Sequence, residues 1–442
     1  MLLPPLQLAA VDGVGYLLHH GSWACIVVLL HRRRRCLRSV LLRCQSHWLR
    51  MDGMDRWVSC GQNATTFYCS RLTGLCDDCI LVDEGVIMHI QIESESLGEA
   101  YSRCAGVVNP SSPKEVLQNI LLRVDDKLTL IGSNGETTVL AEAEAQIERP
   151  GKALIPGKRL GLFVKEFSGL LSFEVVGDEI IFNAPGATFR IPTANPDEYP
   201  AVTLIDGGAT EVDSAALERA IRKTSFACEQ DSARYALGGI RIEDWQVVGT
   251  DGRRLAYCPI PNVSGEIRVL VPEKAALLIA NMLHEEKAYV SHDVNNVQVR
   301  CGRYVLNTRQ VEGRYPNWRQ VLISKEGKYR ASLTAGSLHA AIRQAAITAD
   351  GETRGIDFTF GDGSINLKSH TADKGHAAVS VPAEYSGDEV KIKLDYKYVE
   401  AFLKTCESDE IVSVYLSATT APAMIVDAGG AEYVVMPMAM ER

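Results

Sequence analysis

Leu217-Glu218-Arg219-Ala220-Ile221-Arg222-Lys223 sets Leu and Ala three residues apart among charged neighbours, the spacing of one face of a helix. The pattern returns at Leu97-Gly98-Glu99-Ala100-Tyr101-Ser102-Arg103 and at Leu338-His339-Ala340-Ala341-Ile342-Arg343-Gln344, with starts 120 and 121 residues apart. A second set keeps step with the first. Ile155-Pro156-Gly157-Lys158, Val271-Pro272-Glu273-Lys274 and Leu394-Asp395-Tyr396-Lys397 each end a strand-like run and open a helix-like one, and Tyr199-Pro200 recurs as Tyr315-Pro316. Self-similarity at a fixed period marks tandem units, so three homologous domains of about 120 residues are expected.

Each unit reads alike. A polar start such as Asp213-Ser214 precedes an amphipathic helix, because Asp or Ser can cap the free amides of its first turn. Short alternating strands follow, as in Gln246-Val247-Val248-Gly249, split by turns such as Asp251-Gly252. A second helix opens at the recurring lysine. The expected class is α+β, with two helices and about eight antiparallel strands per repeat. Apolar periodicity lapses at 203–211 and 324–328, which gives domains of 88–206, 207–326 and 327–442. Connections this short set the domains side by side as a stiff arc.

Residues 1–87 differ in kind. They hold nine arginines and no lysine, whereas all sixteen lysines lie after residue 87, and they hold seven of the twelve cysteines. Three readings compete. A signal or membrane anchor would use the apolar run 23–30, but His19, His20 and Gly21 interrupt it, and Arg32 to Arg35 follow rather than precede it. A zinc site would use Cys76-Asp77-Asp78-Cys79 with Cys60 and Cys69, a single CxxC without a matched second pair. The third reading leaves 1–87 outside the functional fold, because the alternation Met88-His89-Ile90-Gln91-Ile92 begins only where the repeats do.

With 46% hydrophobic residues, 442 residues can bury several cores. The net charge of -9 excludes a protein that binds nucleic acid over its whole surface, so any such contact must be a local basic face on an acidic body. The five scattered cysteines after residue 87 read as reduced thiols of a cytoplasmic protein.

Two further stretches carry function. Thr250-Asp251-Gly252-Arg253-Arg254-Leu255 is a polar turn running into apolar residues, and Tyr433-Val434-Val435-Met436-Pro437-Met438 is an apolar strand near the end of the chain. Together they would form an arginine-rimmed hydrophobic groove suited to capturing short peptides. With Ala233-Arg234-Tyr235-Ala236-Leu237-Gly238-Gly239 and Glu312-Gly313-Arg314-Tyr315-Pro316-Asn317-Trp318, these stretches resemble the bacterial sliding clamps, the beta subunits of DNA polymerase III, over roughly residues 88 to 442.

That resemblance implies a homodimer in which two three-domain arcs join head to tail into a six-domain ring around duplex DNA. It implies that helices line the hole, where Lys158, Arg159, Lys274 and Lys397 at helix starts would touch phosphates without base preference. Tyr235 and Arg354 match positions at which the family approaches DNA, and Arg103, Arg222, Lys223 and Arg343 are candidates to add to the field. The implied groove for polymerase, clamp-loader and repair-protein peptides comprises Leu237, Thr250, Gly252, Arg253, Arg254, Leu255, Pro316 and Val321 with Tyr398, Val434, Val435, Met436, Pro437 and Met438. The implied dimer contact uses Phe189 and Ile191 against Ile347. Departures from the family pattern stand at Ala236, Ser111-Ser112, Gln320, Thr348 and Thr353.

No glycine-rich phosphate loop, GxSxG elbow or HExxH pair is present, so neither catalysis nor a cofactor or metal is expected. Two alternatives stay open. One is a nuclease built on an unrecognised carboxylate cluster including Asp251; the other is a peptide scaffold that never touches DNA.

Overall fold

The computed structural model describes residues 86–229, 235–322, 324–325 and 329–439, and the backbone of four short strands, Gln7–Val11, Val14–Leu18, Val28–Leu30 and Val40–Leu41. The chain divides into two compact units, 1–85 and 86–442. The seven cysteines read as a zinc candidate or an extension lie outside the described residues, as do Arg234, Glu441 and Arg442.

Among the described residues six α-helices punctuate the second unit, two per repeat: α1 (Ser94–Ala105), α2 (Gly157–Glu166), α3 (Ser214–Ser225), α4 (Glu273–Met282), α5 (Ala335–Ala345) and α6 (Tyr396–Leu403). Asp213 caps α3 by accepting the Ala216 amide at 2.7 Å, and Thr334 caps α5 by accepting that of Ser337 at 3.3 Å. Among the described residues the repeats contain nine, eight and nine strands, close to the expected eight.

The strand opening the unit, Val86–Glu93, begins two residues before the expected start at Met88. Its alternation turns Met88, Ile90 and Ile92 inward, where each is 0 or 1% exposed. Burying each of these side chains contributes about 1.5–3 kcal/mol before entropy is counted.

Short linkers are only part of what joins the repeats. The repeats are fused by shared sheets. An eight-stranded sheet passes from the first repeat to the second where Thr137–Ala143 pairs antiparallel with Tyr304–Arg309. A nine-stranded sheet passes from the second to the third where Arg254–Pro259 pairs antiparallel with Glu432–Val435. The first linker is itself pinned to a sheet face, since the buried Gln298 amide bonds the Ile205 backbone in both directions at 2.9 and 3.2 Å.

Two sheets belong to single repeats. The first repeat's five-stranded sheet ends in Ala187–Pro192, and the third repeat's four-stranded sheet ends in Gly375–Pro382. Each of these strands has one paired side and one free side.

Candidate functional site

The second seam brings the two candidate groove stretches side by side. Strands Gln246–Thr250 and Arg254–Pro259 form a hairpin, and its turn needs a glycine because Gly252 sits at φ 88°. Thr250 Oγ1 donates to the Arg254 carbonyl at 2.5 Å and accepts the Gly252 amide at 3.1 Å. Asp251 Oδ1 accepts the amides of Arg253 and Arg254 at 2.9 and 3.1 Å, while its Oδ2 pairs with Arg254 Nε at 2.8 Å. Both carboxylate oxygens of Asp251 are thus engaged in fixing the turn.

Pairing sets Arg254 opposite Val435 and Leu255 opposite Val434. Successive residues of a strand face opposite ways. Leu255 and Val434 accordingly join Val248, Met424, Val426 and Trp318 in a buried apolar cluster, edged by Tyr257, Tyr315 and Leu322. Val435 points the other way into the third repeat's core and is 0% exposed. It is corrected from a lining residue to one that seats the strand. Thr250 and Leu237 are likewise buried.

Of the other candidate groove residues, Gly252, Arg253, Pro316, Val321 and Met436 are exposed, and Pro437, Met438, Tyr398 and Arg254 are half-buried. Met436 donates its amide to the Arg253 carbonyl at 3.0 Å, and Met438 donates to Lys393 at 2.8 Å, so the end of the chain is tied to both repeats. The Arg254 guanidinium lies 4.5 Å from the Tyr398 ring centroid. Burial would lower its pKa, but Tyr433 and Asp251 outweigh that and hold it up.

Sequence reasoning missed the far wall. Trp318 stacks on Tyr257 at 5.7 Å and donates its indole N–H to Glu243 at 3.1 Å, and Arg319 covers the indole at 4.4 Å while bridging Glu243 and Asp244. Burial would raise the Glu243 carboxyl, yet the Trp318 and Arg319 donors hold it below its ordinary value. Strand parity could have found Met424, which pairs with Val434 in register.

Lys158, Arg159, Lys274 and Lys397 are all exposed near the starts of α2, α4 and α6. Arg354 is half-buried at φ 54°, and its carbonyl accepts the Tyr396 amide at the start of α6. Tyr235 opens the short helix Tyr235–Leu237, and its side chain lies outside the described residues.

Three of the four extra cations on the partner helices are engaged elsewhere. Arg103 bonds the Asn281 carbonyl, Arg222 pairs with Glu218 at 2.8 Å, and Lys223 is buried against Asp427 at 2.8 Å. Arg343 is exposed. A cleft of about 250 Å³ between α1 and α2, lined by Tyr101, Leu162 and Lys158 among others, lies apart from the groove.

At the free edges, Phe189 is 38% exposed and Ile347 75%. Ile191, two residues along from Phe189, is 2% exposed and buried in its own domain's core, opposite Ile180. It is corrected to a core residue, while the Phe189 ring rests on Phe163 of α2 and on Phe167 at 5.2 and 5.6 Å. No helix among the described residues is long and apolar enough to cross a membrane.

Known proteins share the three-repeat organisation. The N-terminal, central and C-terminal domains of the DNA polymerase III beta subunit match residues 88–203, 211–317 and 320–439. The beta sliding clamp of Pseudomonas putida is 27% identical over 367 residues, spanning 79% of this chain and all of its own. That of Salmonella typhimurium is 27% identical over 374 residues, spanning the same shares. The crystal structure of the beta subunit from Pseudomonas aeruginosa is similar with a TM-score of 0.73 at 26% identity, covering 80% of this chain and 100% of that one.

These likenesses support a processivity clamp without catalytic activity of its own and give no support to the nuclease alternative. Three tandem repeats and three consecutive domain matches lead to one conclusion: the chain belongs to the DNA polymerase III beta subunit family, the bacterial beta sliding clamps.

Proposed function

We propose that two copies of this chain close head to tail into a six-domain ring around duplex DNA in the cytoplasm. The domains are 88–206, 207–326 and 327–442, and residues 1–87 are an N-terminal extension that is not part of the clamp fold. The observation that carries this reading is the pair of free strand edges, Ala187–Pro192 in the first repeat and Gly375–Pro382 in the third. Each is a row of backbone donors and acceptors that another strand can complete. Phe189 and Ile347 supply apolar contacts at the closure, with Ile191 behind Phe189.

Lys158, Arg159, Lys274, Lys397 and Arg354, with Tyr235, contact phosphates weakly enough to let the ring slide, since topology rather than affinity keeps it on the duplex. The groove holds peptides of the replicative polymerase, the clamp loader and repair proteins. Its floor of Leu255, Met424, Val434 and Trp318 takes apolar anchors, and Arg253 and Met436 border the mouth. A methionine-rich border suits several partners, because the thioether adapts its shape.

The test loads the full chain, with its clamp loader and ATP, onto nicked circular DNA and follows retention by gel filtration after the circle is cut. Release on cutting is the expected result. Salt-sensitive retention that ignores DNA ends would mean direct binding and would defeat the ring.

A further inference from the structure

One cluster of reactive side chains has no part in the groove or on the cationic helices. It lies where α3 of the second repeat meets the third. Lys223 Nζ is 2.8 Å from Asp427 Oδ2, 3.8 Å from Glu410 Oε2 and 3.3 Å from Cys406 Sγ. One turn earlier, Arg219 holds both Asp427 oxygens at 3.0 and 2.9 Å. The ligand atoms of Cys406, Glu410 and Asp427 converge as a metal site would require. However, the Lys223 ammonium already sits among them and Arg219 engages Asp427 from the other side, so the charge a metal would neutralise is already neutralised.

Two facts direct the chemistry elsewhere. Of the described cysteines, Cys104, Cys228, Cys258 and Cys301 are buried, while Cys406 is partly exposed, so a small oxidant in solution reaches Cys406 first. The Lys223 side chain is only 7% exposed and rests 5.6 Å from the Phe402 ring centroid, so its nitrogen is held beside the sulfur rather than sweeping through solvent. Burial pushes the Cys406 thiol up, but the adjoining ammonium favours the thiolate.

We propose that hydrogen peroxide links Cys406 to Lys223 through a sulfenamide bond, which joins the second and third repeats covalently. Cys406 Sγ attacks one peroxide oxygen and the O–O bond breaks. Sulfur is oxidised to sulfenic acid, and the peroxide is reduced to water. Lys223 passes its ammonium proton to Asp427 or Glu410, and the freed lone pair attacks sulfur. The S–O bond breaks and hydroxide leaves, taking a proton from the new S–N nitrogen to form a second water. A thiol reductant reverses the link by attacking sulfur, which restores the Lys223 amine and the Cys406 thiol while two reductant thiols become a disulfide.

The test exposes the full chain to hydrogen peroxide, digests it with trypsin without reductant and examines it by mass spectrometry. The expected product is a linked pair of peptides carrying residues 223 and 406, lighter than their sum by two hydrogens, uncut after Lys223 and lost on adding dithiothreitol. Lys223→Arg keeps the charge beside Asp427 but offers no primary amine, so it should yield a dimedone-trappable sulfenic acid at Cys406 and no link. Cys406→Ser should yield neither, and it serves should the arginine variant fail to fold. A link that survives in Cys406→Ser overturns the proposal. So does a link that retains a peroxide oxygen, sulfinic acid or a disulfide at Cys406 in the unmodified chain, or an unaltered Cys406 under peroxide that oxidises a free cysteine peptide in the same tube.

Discussion

The two seams between repeats share one plan, a strand of one domain paired antiparallel with a strand of the next, yet different chemistry holds them. At the first, Thr137 and Thr308 share a buried hydroxyl bond at 2.8 Å, and the charged contact between Arg303 and Glu99 at 3.0 Å lies in solvent. At the second, Asp427 has 0% side-chain exposure and is held between Arg219 and Lys223. The neutral seam can tolerate a lost partner. The charged one cannot, because an ion taken out of water and then left alone has no substitute for its hydration. The proposed peptide groove lies at the seam with the stricter geometry, where a fixed spacing of Arg254, Leu255, Val434 and Met436 would matter most.

The strongest way to break this contrast is Asp427→Ala. It takes the shared carboxylate from two cations, one of them almost wholly buried, and should cost about 3–5 kcal/mol, toward the low end because Arg219 can reach water and Lys223 keeps Glu410 at 3.8 Å. A urea titration that showed less than about 1 kcal/mol would remove the distinction between the seams. Next is Thr308→Val at the neutral seam, which keeps the shape and leaves the buried Thr137 hydroxyl without this partner, for about 1–2 kcal/mol in the same titration.

A smaller effect should follow from pH at the groove wall. The Glu243 carboxyl is held below its ordinary 4.5, so the stability it contributes is complete above that value and lost as pH falls through the lowered one. The advantage of the native chain over Glu243→Gln in urea midpoint should therefore be full at neutral pH and vanish in acid below 4.5. A constant difference across that range would show that the Trp318 and Arg319 contacts do not depend on the charge. Smallest of all, Arg303→Ala should change stability by no more than about 0.5 kcal/mol, since exposed pairs contribute little. A larger loss would mean that the first seam also depends on charge.

Much of this architecture is legible along the chain because it is local or periodic. The repeated helix stretches, the Asp213 cap and the Thr250 to Leu255 turn each follow from residues within a few positions of one another. The seams do not. Asp427 meets Arg219 across 208 positions, and nothing near either residue marks it as half of a buried pair.

The two corrected positions have a simpler cause. Val434 and Val435 cannot both line one groove, because neighbours on a strand face opposite ways. Ile191 and Phe189 do share a face, but Ile191 sits in the packed core, whereas Phe189 stays 38% exposed beside Phe163 and Phe167. The far wall escaped because Trp318 and Glu243 come from separate segments, brought together only when the hairpin folds against 315–322.

The free edges at Ala187–Pro192 and Gly375–Pro382 carry a consequence of another kind. A chain with complementary ends can make a finite assembly or an endless one. A pair that closes uses up both edges, whereas a pair that fails to close presents a new edge at each end and goes on adding copies as a filament. Closure is therefore also a matter of solubility, and a substitution that spoils the fit without removing the edges should show itself first as light scattering that rises with protein concentration.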